Sequence, residues 1–167
     1  MKTLILVRHA KSSWGDLSLP DFDRPLNERG KHDAPMMARR LKDREVKPDA
    51  LVSSPAKRAR KTAQAFADVL DIQKERLLFR DALYMASPET FQQEVAQLDD
   101  AYKTIAIFSH NPGISEYANQ LGVARIDEMP TCGILAVTAP VSTWKDFRKA
   151  KKEFWFFDYP KNPQPGA

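Results

Sequence analysis

Four apolar residues in a row, Leu4-Ile5-Leu6-Val7, run straight into Arg8 and His9. A run without polar alternation predicts a strand covered on both faces, the pattern of an inner strand in a parallel sheet. The pattern returns along the chain. Residues 50–53, 77–79 and 104–108 are short apolar runs of the same kind, and 133–138 and 154–157 read as two late strands. Between them lie stretches with helical spacing. Ala34, Met37 and Leu41 share one face; so do Ala59, Ala63, Phe66 and Leu70; Phe91, Val95 and Leu98; and Ile114, Tyr117 and Leu121. Strands alternating with helices predict an α/β fold of three layers, α/β/α, around a mostly parallel central sheet.

Local signals place the boundaries. Residues 10–26 read as a long loop rich in Ser, Asp and Pro. Asn27 is a fitting N-cap for a helix to about Arg44, which Pro35 is expected to kink or delay. Ser54 is expected to cap the next helix with Pro55 at its first position. Ser87-Pro88-Glu89 opens another. The 167 residues fit one domain, expected over 1–159, with three prolines and a glycine marking 160–167 as a loose tail.

Composition narrows the function. The net charge of +4 suits an anionic ligand. The basic run Lys57-Arg58-Ala59-Arg60-Lys61 lacks the interleaved aromatics of a nucleic-acid surface, so no nucleic-acid partner is expected. Lys145 to Lys152 reads as a solvated stretch. The first apolar run is too short for a signal peptide or a membrane span, so no membrane partner is expected. Cys132 is the only cysteine, which excludes an intrachain disulfide and makes a cytoplasmic location the expectation. His9, His32 and His110 lie far apart in sequence, and no Walker-type glycine loop is present; no metal and no cofactor is expected.

The basic residues fall at matching places. Arg8 and His9 end the first strand, Ser53, Ser54 and Arg58 follow the second, and Ser109 and His110 end the fourth. Open α/β sheets form their sites beyond the carboxyl ends of the strands. If these strands run parallel, Arg8, His9, Arg58 and His110 meet on one rim, where helix N-termini add N–H donors for an anion. Arginine grips phosphate with two parallel hydrogen bonds and stays charged. A neutral histidine attacks phosphorus through a ring nitrogen, and a second donates to the oxyanion.

At these residues the chain resembles the histidine phosphatase superfamily, also called phosphoglycerate mutase-like, along nearly its whole length. The stretch Val7-Arg8-His9-Ala10-Lys11-Ser12-Ser13-Trp14 resembles its Arg-His-Gly motif, with Ala10 at the glycine. Asp23-Arg24-Pro25-Leu26-Asn27-Glu28-Arg29-Gly30 resembles its D-x-P-L-T-x-x-G segment. The run from Ser53 to Ala63 resembles S-S-P-x-x-R-A-x-x-T-A, and Ser109-His110-Asn111-Pro112 its late S-H-x-P form. The small size, the Arg8 to Ser12 variant and the run from Met129 to Ile134 are most similar to the SixA-type phosphohistidine phosphatases. The resemblance implies a phosphoglycerate mutase-like fold and a metal-independent phosphatase in which His9 becomes phosphohistidine. It implies a phosphate pocket of Arg8, Arg58 and His110. Ser12, Asn111 and Thr131 are expected at the substrate, Thr131 on the family fit. The expected substrate is a phosphohistidine-bearing protein; a small phosphorylated metabolite, or a phospho-ligand held by a catalytically weak binding module, are the alternatives.

The mutase pattern has an asparagine where Gly15 follows Trp14 here. No glutamate marks Asp81-Ala82-Leu83-Tyr84, and Asn111 rather than aspartate follows His110, so no residue is identified as the general acid. A site without one should cleave N–P bonds more readily than alkyl esters, because imidazole leaves easily and an alkoxide needs a proton. For Asp16, Asp21 and Asp23, loop solvation or turn capping is the favoured reading over proton donation. His32 is expected on the surface, Trp14 packed over the loop, Cys132 in the core, and the aromatic run 154–157 in a buried strand.

Overall fold

The computed structural model describes residues 1–164, so positions 165–167 of the expected tail lie outside the described residues. The elements in order are β1 (Lys2–Arg8), α1 (Glu28–Asp43), β2 (Ala50–Ser53), α2 (Lys57–Leu70), β3 (Leu77–Phe79), α3 (Pro88–Ala96), β4 (Thr104–Ser109), α4 (Gly113–Gln120), β5 (Ile134–Ala139) and β6 (Glu153–Asp158). One six-stranded sheet has the order β3-β2-β4-β1-β5-β6. The first four strands in that order pair in parallel, and β5 and β6 complete the sheet antiparallel.

The apolar run of β1 is divided between two cores. Leu4 and Leu6 face a cluster with Phe91 and Val95 of α3 and Ile114 and Tyr117 of α4. Ile5 and Val7 face the opposite cluster, with Met37 and Leu41 of α1 and Phe66 and Leu70 of α2. This is the three-layer arrangement that the strand and helix patterns predict, with helices on both sheet faces.

Several local expectations are corrected. Pro35 neither delays nor interrupts α1, which starts at Glu28 behind Asn27 and runs through to Asp43. The side chain of Asn27 accepts from Gly30 N at 2.8 Å, and burial of Ala34, Met37 and Leu41 outweighs the one backbone bond proline removes. Ser54 does not cap α2: Ala56 stands at that position and the helix begins at Lys57. The hydroxyl of Ser54 accepts from Ala56 N at 3.2 Å, ahead of the helix, and is engaged with His110 Nε2 at 2.7 Å. The run 154–157 is the outer edge of the sheet, not a buried strand. Only Phe156 is buried, beneath the Arg44 guanidinium, while Phe154 and Trp155 are exposed. The charges between Lys145 and Lys152 are solvated, but the same connection carries two large core anchors, Trp144 and Phe147. Trp144 donates from Nε1 to the Tyr102 carbonyl at 3.0 Å.

Candidate active site

Register brings the strand ends level. Arg8 pairs with Ser109 across β1 and β4, and Ser53 pairs with Phe108 across β2 and β4. The next residue on β1 and β4 is therefore a histidine, and the His9 and His110 ring centroids lie 5.1 Å apart. Arg58 enters from the first turn of α2 and donates from Nε to His9 Nε2 at 3.3 Å. His9, Arg58 and His110 are buried to 6, 5 and 4% exposure. Arg8, at the rim, donates from Nη1 to the Met129 carbonyl at 2.8 Å. All four line one cavity of about 500 Å³.

The backbone around them is tied from three sides. Ala10 N donates to Thr62 Oγ1 at 2.9 Å, and the Thr62 hydroxyl donates to the Arg58 carbonyl at 2.8 Å. Cys132 N reaches the carbonyls of Arg8 and His9, both at 3.0 Å. Cys132 is buried, as expected, and burial pushes its thiol well above the ordinary range.

Each histidine has one ring nitrogen committed. His9 Nδ1 lies 2.7 Å from the Ala10 carbonyl, which only accepts, so that nitrogen carries the proton. His9 Nε2 keeps its lone pair, which faces the cavity and accepts from Arg58 Nε at 3.3 Å. Burial drives the His9 imidazole down to about 3 against the carbonyl bond that opposes it, and the nearby positive groups push the same way. His110 is also lowered to about 3, by burial and then by the charge of Arg58. Both rings are neutral near pH 7. His110 Nδ1 and Arg8 Nε are buried without a hydrogen-bond partner among the described residues.

The other expected substrate residues also line the cavity, in different ways. Thr131 sits on its wall. Ser12 Oγ accepts from Arg24 Nη1 at 2.8 Å. Asn111 spends its amide on the protein: Nδ2 donates to the Met129 carbonyl at 3.1 Å and Oδ1 accepts from the Ser115 hydroxyl. Its side chain holds Met129, directly and through Ser115, whose hydroxyl oxygen accepts from Met129 N at 2.8 Å.

Asp21, Arg24 and Tyr84 also line the cavity and were not among the expected site residues. Asp21 is an exposed loop acid, as expected, but its carboxylate is engaged as well. Its Oδ2 accepts from Arg58 Nη2 at 3.0 Å and from the Tyr84 hydroxyl at 2.7 Å, and its carbonyl accepts from Arg58 Nη1 at 2.7 Å. Burial alone raises this carboxyl, but the bonds from Tyr84 and Arg58 and the Arg58 charge outweigh it and hold it at about 2. Arg24 is buried, bonded to Ser12 and Asp21, and stacked 3.6 Å from the Trp14 ring centroid. Tyr84 meets His110 edge-on at 5.5 Å. Arg24 lies within the segment that resembles D-x-P-L-T-x-x-G, whereas Asp21 and Tyr84 have no local pattern that marks them. Trp14 does pack on the loop, through Arg24, yet it is 68% exposed and lines the mouth together with Met85. His32 is exposed.

The profile of the histidine phosphatase superfamily (branch 1) matches residues 4–79. An uncharacterised chloroplastic protein of Arabidopsis thaliana is 33% identical over 153 residues, which is 87% of this chain and 70% of that protein. An uncharacterised protein of Mycobacterium tuberculosis is 34% identical over 151 residues, 84% of this chain and 90% of that protein. A solved structure from Agrobacterium tumefaciens, provisionally named phosphohistidine phosphatase SixA, superposes with a TM-score of 0.79 at 26% identity, covering 95% of this chain and 99% of that one.

Proposed function

The chain belongs to the histidine phosphatase superfamily, and we propose that it hydrolyses phosphohistidine carried on a protein, without a metal, through a phosphorylated His9. It is a phosphatase with a histidine nucleophile. The observation that carries the site assignment is the pair of buried, unpartnered polar groups, His110 Nδ1 and Arg8 Nε, beside His9 Nε2, whose lone pair accepts only the long bond from Arg58 Nε at 3.3 Å. A buried polar group without a partner is expensive, and a phosphoryl oxygen satisfies both.

In the first step His9 Nε2 attacks phosphorus. The new N–P bond forms as the bond to the substrate nitrogen breaks, and its electron pair leaves with the substrate imidazole. The Nδ1–H of His9 stays on the Ala10 carbonyl, which steadies the cationic phosphoimidazole that results. With the Ser54 hydroxyl donating to His110 Nε2, the proton of that ring sits on Nδ1, aimed at a phosphoryl oxygen. Arg8 and Arg58 spread charge over the others. Water then attacks phosphorus, the His9 N–P bond breaks, and inorganic phosphate leaves.

The preference for a nitrogen leaving group rests on the acids available. Among the described residues Asp21 is the only carboxyl lining the cavity, and at about 2 it is ionised at neutral pH. It holds no proton for an alkoxide. The open mouth, with exposed Trp14 and Met85, supports a phosphoryl group presented on a polypeptide.

The test compares release of phosphate from a phosphohistidine-bearing protein and from an alkyl phosphate, by wild type and His9→Ala. A positioned proton donor is worth about 10²–10⁴ in rate, so wild type should favour the N–P substrate in kcat/KM by about that factor. His9→Ala should be inactive on both, and an alkaline quench of wild type should retain phosphate on His9. Faster cleavage of the alkyl ester would overturn the substrate assignment.

A further inference from the structure

Arg8, Lys11 and Thr131 line the cavity described above, and the same three residues line a second concavity of about 380 Å³. Its far side is formed by Arg29 and Asp33 of α1 and by Lys161, just beyond β6. Among the described residues, four cations thus line a hollow that holds one carboxylate. That carboxylate is already engaged: Asp33 lies 3.4 Å from Arg29 Nε and 3.3 Å from His32 Nδ1. Arg8 has one acid nearby among the described residues, Glu128 at 3.8 Å, whose side chain is largely exposed and lines neither hollow. Lys11 and Lys161 have no carboxylate partner among the described residues.

Lys161 projects from an anchored segment. Arg40 donates from Nη1 to the Tyr159 carbonyl at 2.9 Å and to Asp158 Oδ1 at 3.2 Å, and from Nη2 to the Pro160 carbonyl at 3.0 Å. Asp158, almost fully buried, also accepts from Asn162 Nδ2 at 3.0 Å. The segment after β6 is therefore held against α1 as a built wall. Cations gathered around one hollow repel one another, and an anion relieves that repulsion.

We infer that the hollow between Lys11, Arg29 and Lys161 is a second anion subsite, so that the substrate carries a further carboxylate or phosphate beside its phosphoryl group. The inference rests on the reading of His9, Arg8, Arg58 and His110 as the phosphoryl site, because Arg8 is shared between the two hollows. The second anion comes either from an acidic side chain next to the phosphorylated residue or from an acid group of a small molecule.

Two series separate these sources. In one, ω-carboxyalkyl phosphates compete with p-nitrophenyl phosphate hydrolysis, each beside the plain alkyl phosphate of equal length. In the other, phosphohistidine peptides differ only in Glu or Gln next to the phosphorylated residue. The readout is the ratio of affinities within each matched pair. The charged member should bind about ten-fold tighter at low ionic strength, and the ratio should shrink as salt rises. Lys161→Glu, and separately Arg29→Gln, should each bring the ratio towards one. A preference in the peptide series supports the subsite with a polypeptide source, and one in the alkyl series supports it with a small-molecule source. No preference in either series, or variants that weaken both members of a pair alike, would overturn it. That failure is distinct from failure of the phosphatase reading, which would show as hydrolysis surviving in His9→Ala.

Discussion

A neutral imidazole has one lone pair to offer, and in His9 the Ala10 carbonyl decides which nitrogen presents it. Arg58 is then shared between two acceptors. Its Nε faces the nucleophile, while Nη1 and Nη2 are taken by the carbonyl and carboxylate of Asp21. A phosphoryl oxygen drawn to Arg58 therefore meets a carboxylate already there. Two like unit charges about 4 Å apart repel by about 1 kcal/mol even at the dielectric of water. Asp21→Asn should accordingly tighten inorganic phosphate about five-fold at pH 7, measured by calorimetric titration. Because Asp21 is held at about 2, its own charge is constant from mildly acidic to alkaline pH, so the gain should rise only with the charge of the phosphate as the monoanion becomes the dianion. If the variant instead loses phosphate affinity, Asp21 orients Arg58 for the anion and does not compete with it.

At the level of elements, the site is a product of register. Parallel β1, β2 and β4 end together, and each is followed within a few residues by a functional side chain. That much was legible in the sequence, because buried strands, helical faces and the residues that close them are local patterns. Legibility fails where a position depends on distant partners. Asp21 and Tyr84 are 63 residues apart and are joined by their own hydrogen bond and by Phe22 packing edge-on to Tyr84. Trp144 and Phe147 lie hidden in a stretch whose composition is that of solvent. The edge placement of β6 follows from strand order, which its aromatic run does not encode. The helices reach the site through close packing: a Cβ on Gly30 would stand 2.2 Å from the Lys11 carbonyl, at the start of α1 and two residues past His9. Gly30→Ala must push the helix from that loop. Overpacking of this kind costs about 1–3 kcal/mol, to be read from the urea midpoint. Activity should fall together with stability, since the displaced backbone carries the nucleophile; a variant as stable and active as wild type would show that the loop yields freely.

For the molecule as a whole, the two buried histidines link the site to stability against acid. In the unfolded chain both take up protons as pH falls through about 6.5. In the folded chain both stay neutral down to about 3. Between those values the unfolded state binds more protons, so stability is fully present above about 6.5 and is lost as pH falls. Each histidine contributes a limiting slope of about 1.4 kcal/mol per pH unit. The window between about pH 6.5 and 5 isolates them, because ordinary carboxylates titrate lower; Asp21, held at about 2, adds its own loss only below about 4. An anion between the arginines favours the charged imidazoles and raises their folded values, so phosphate at saturation should flatten the acid slope besides raising stability by mass action. Urea midpoints measured across that window, with and without phosphate, read both effects. His110→Asn should remove about half of the slope. A flat profile in the free protein would mean that the two rings are charged or hydrated in the fold, and the neutral nucleophile assigned to His9 would go with it.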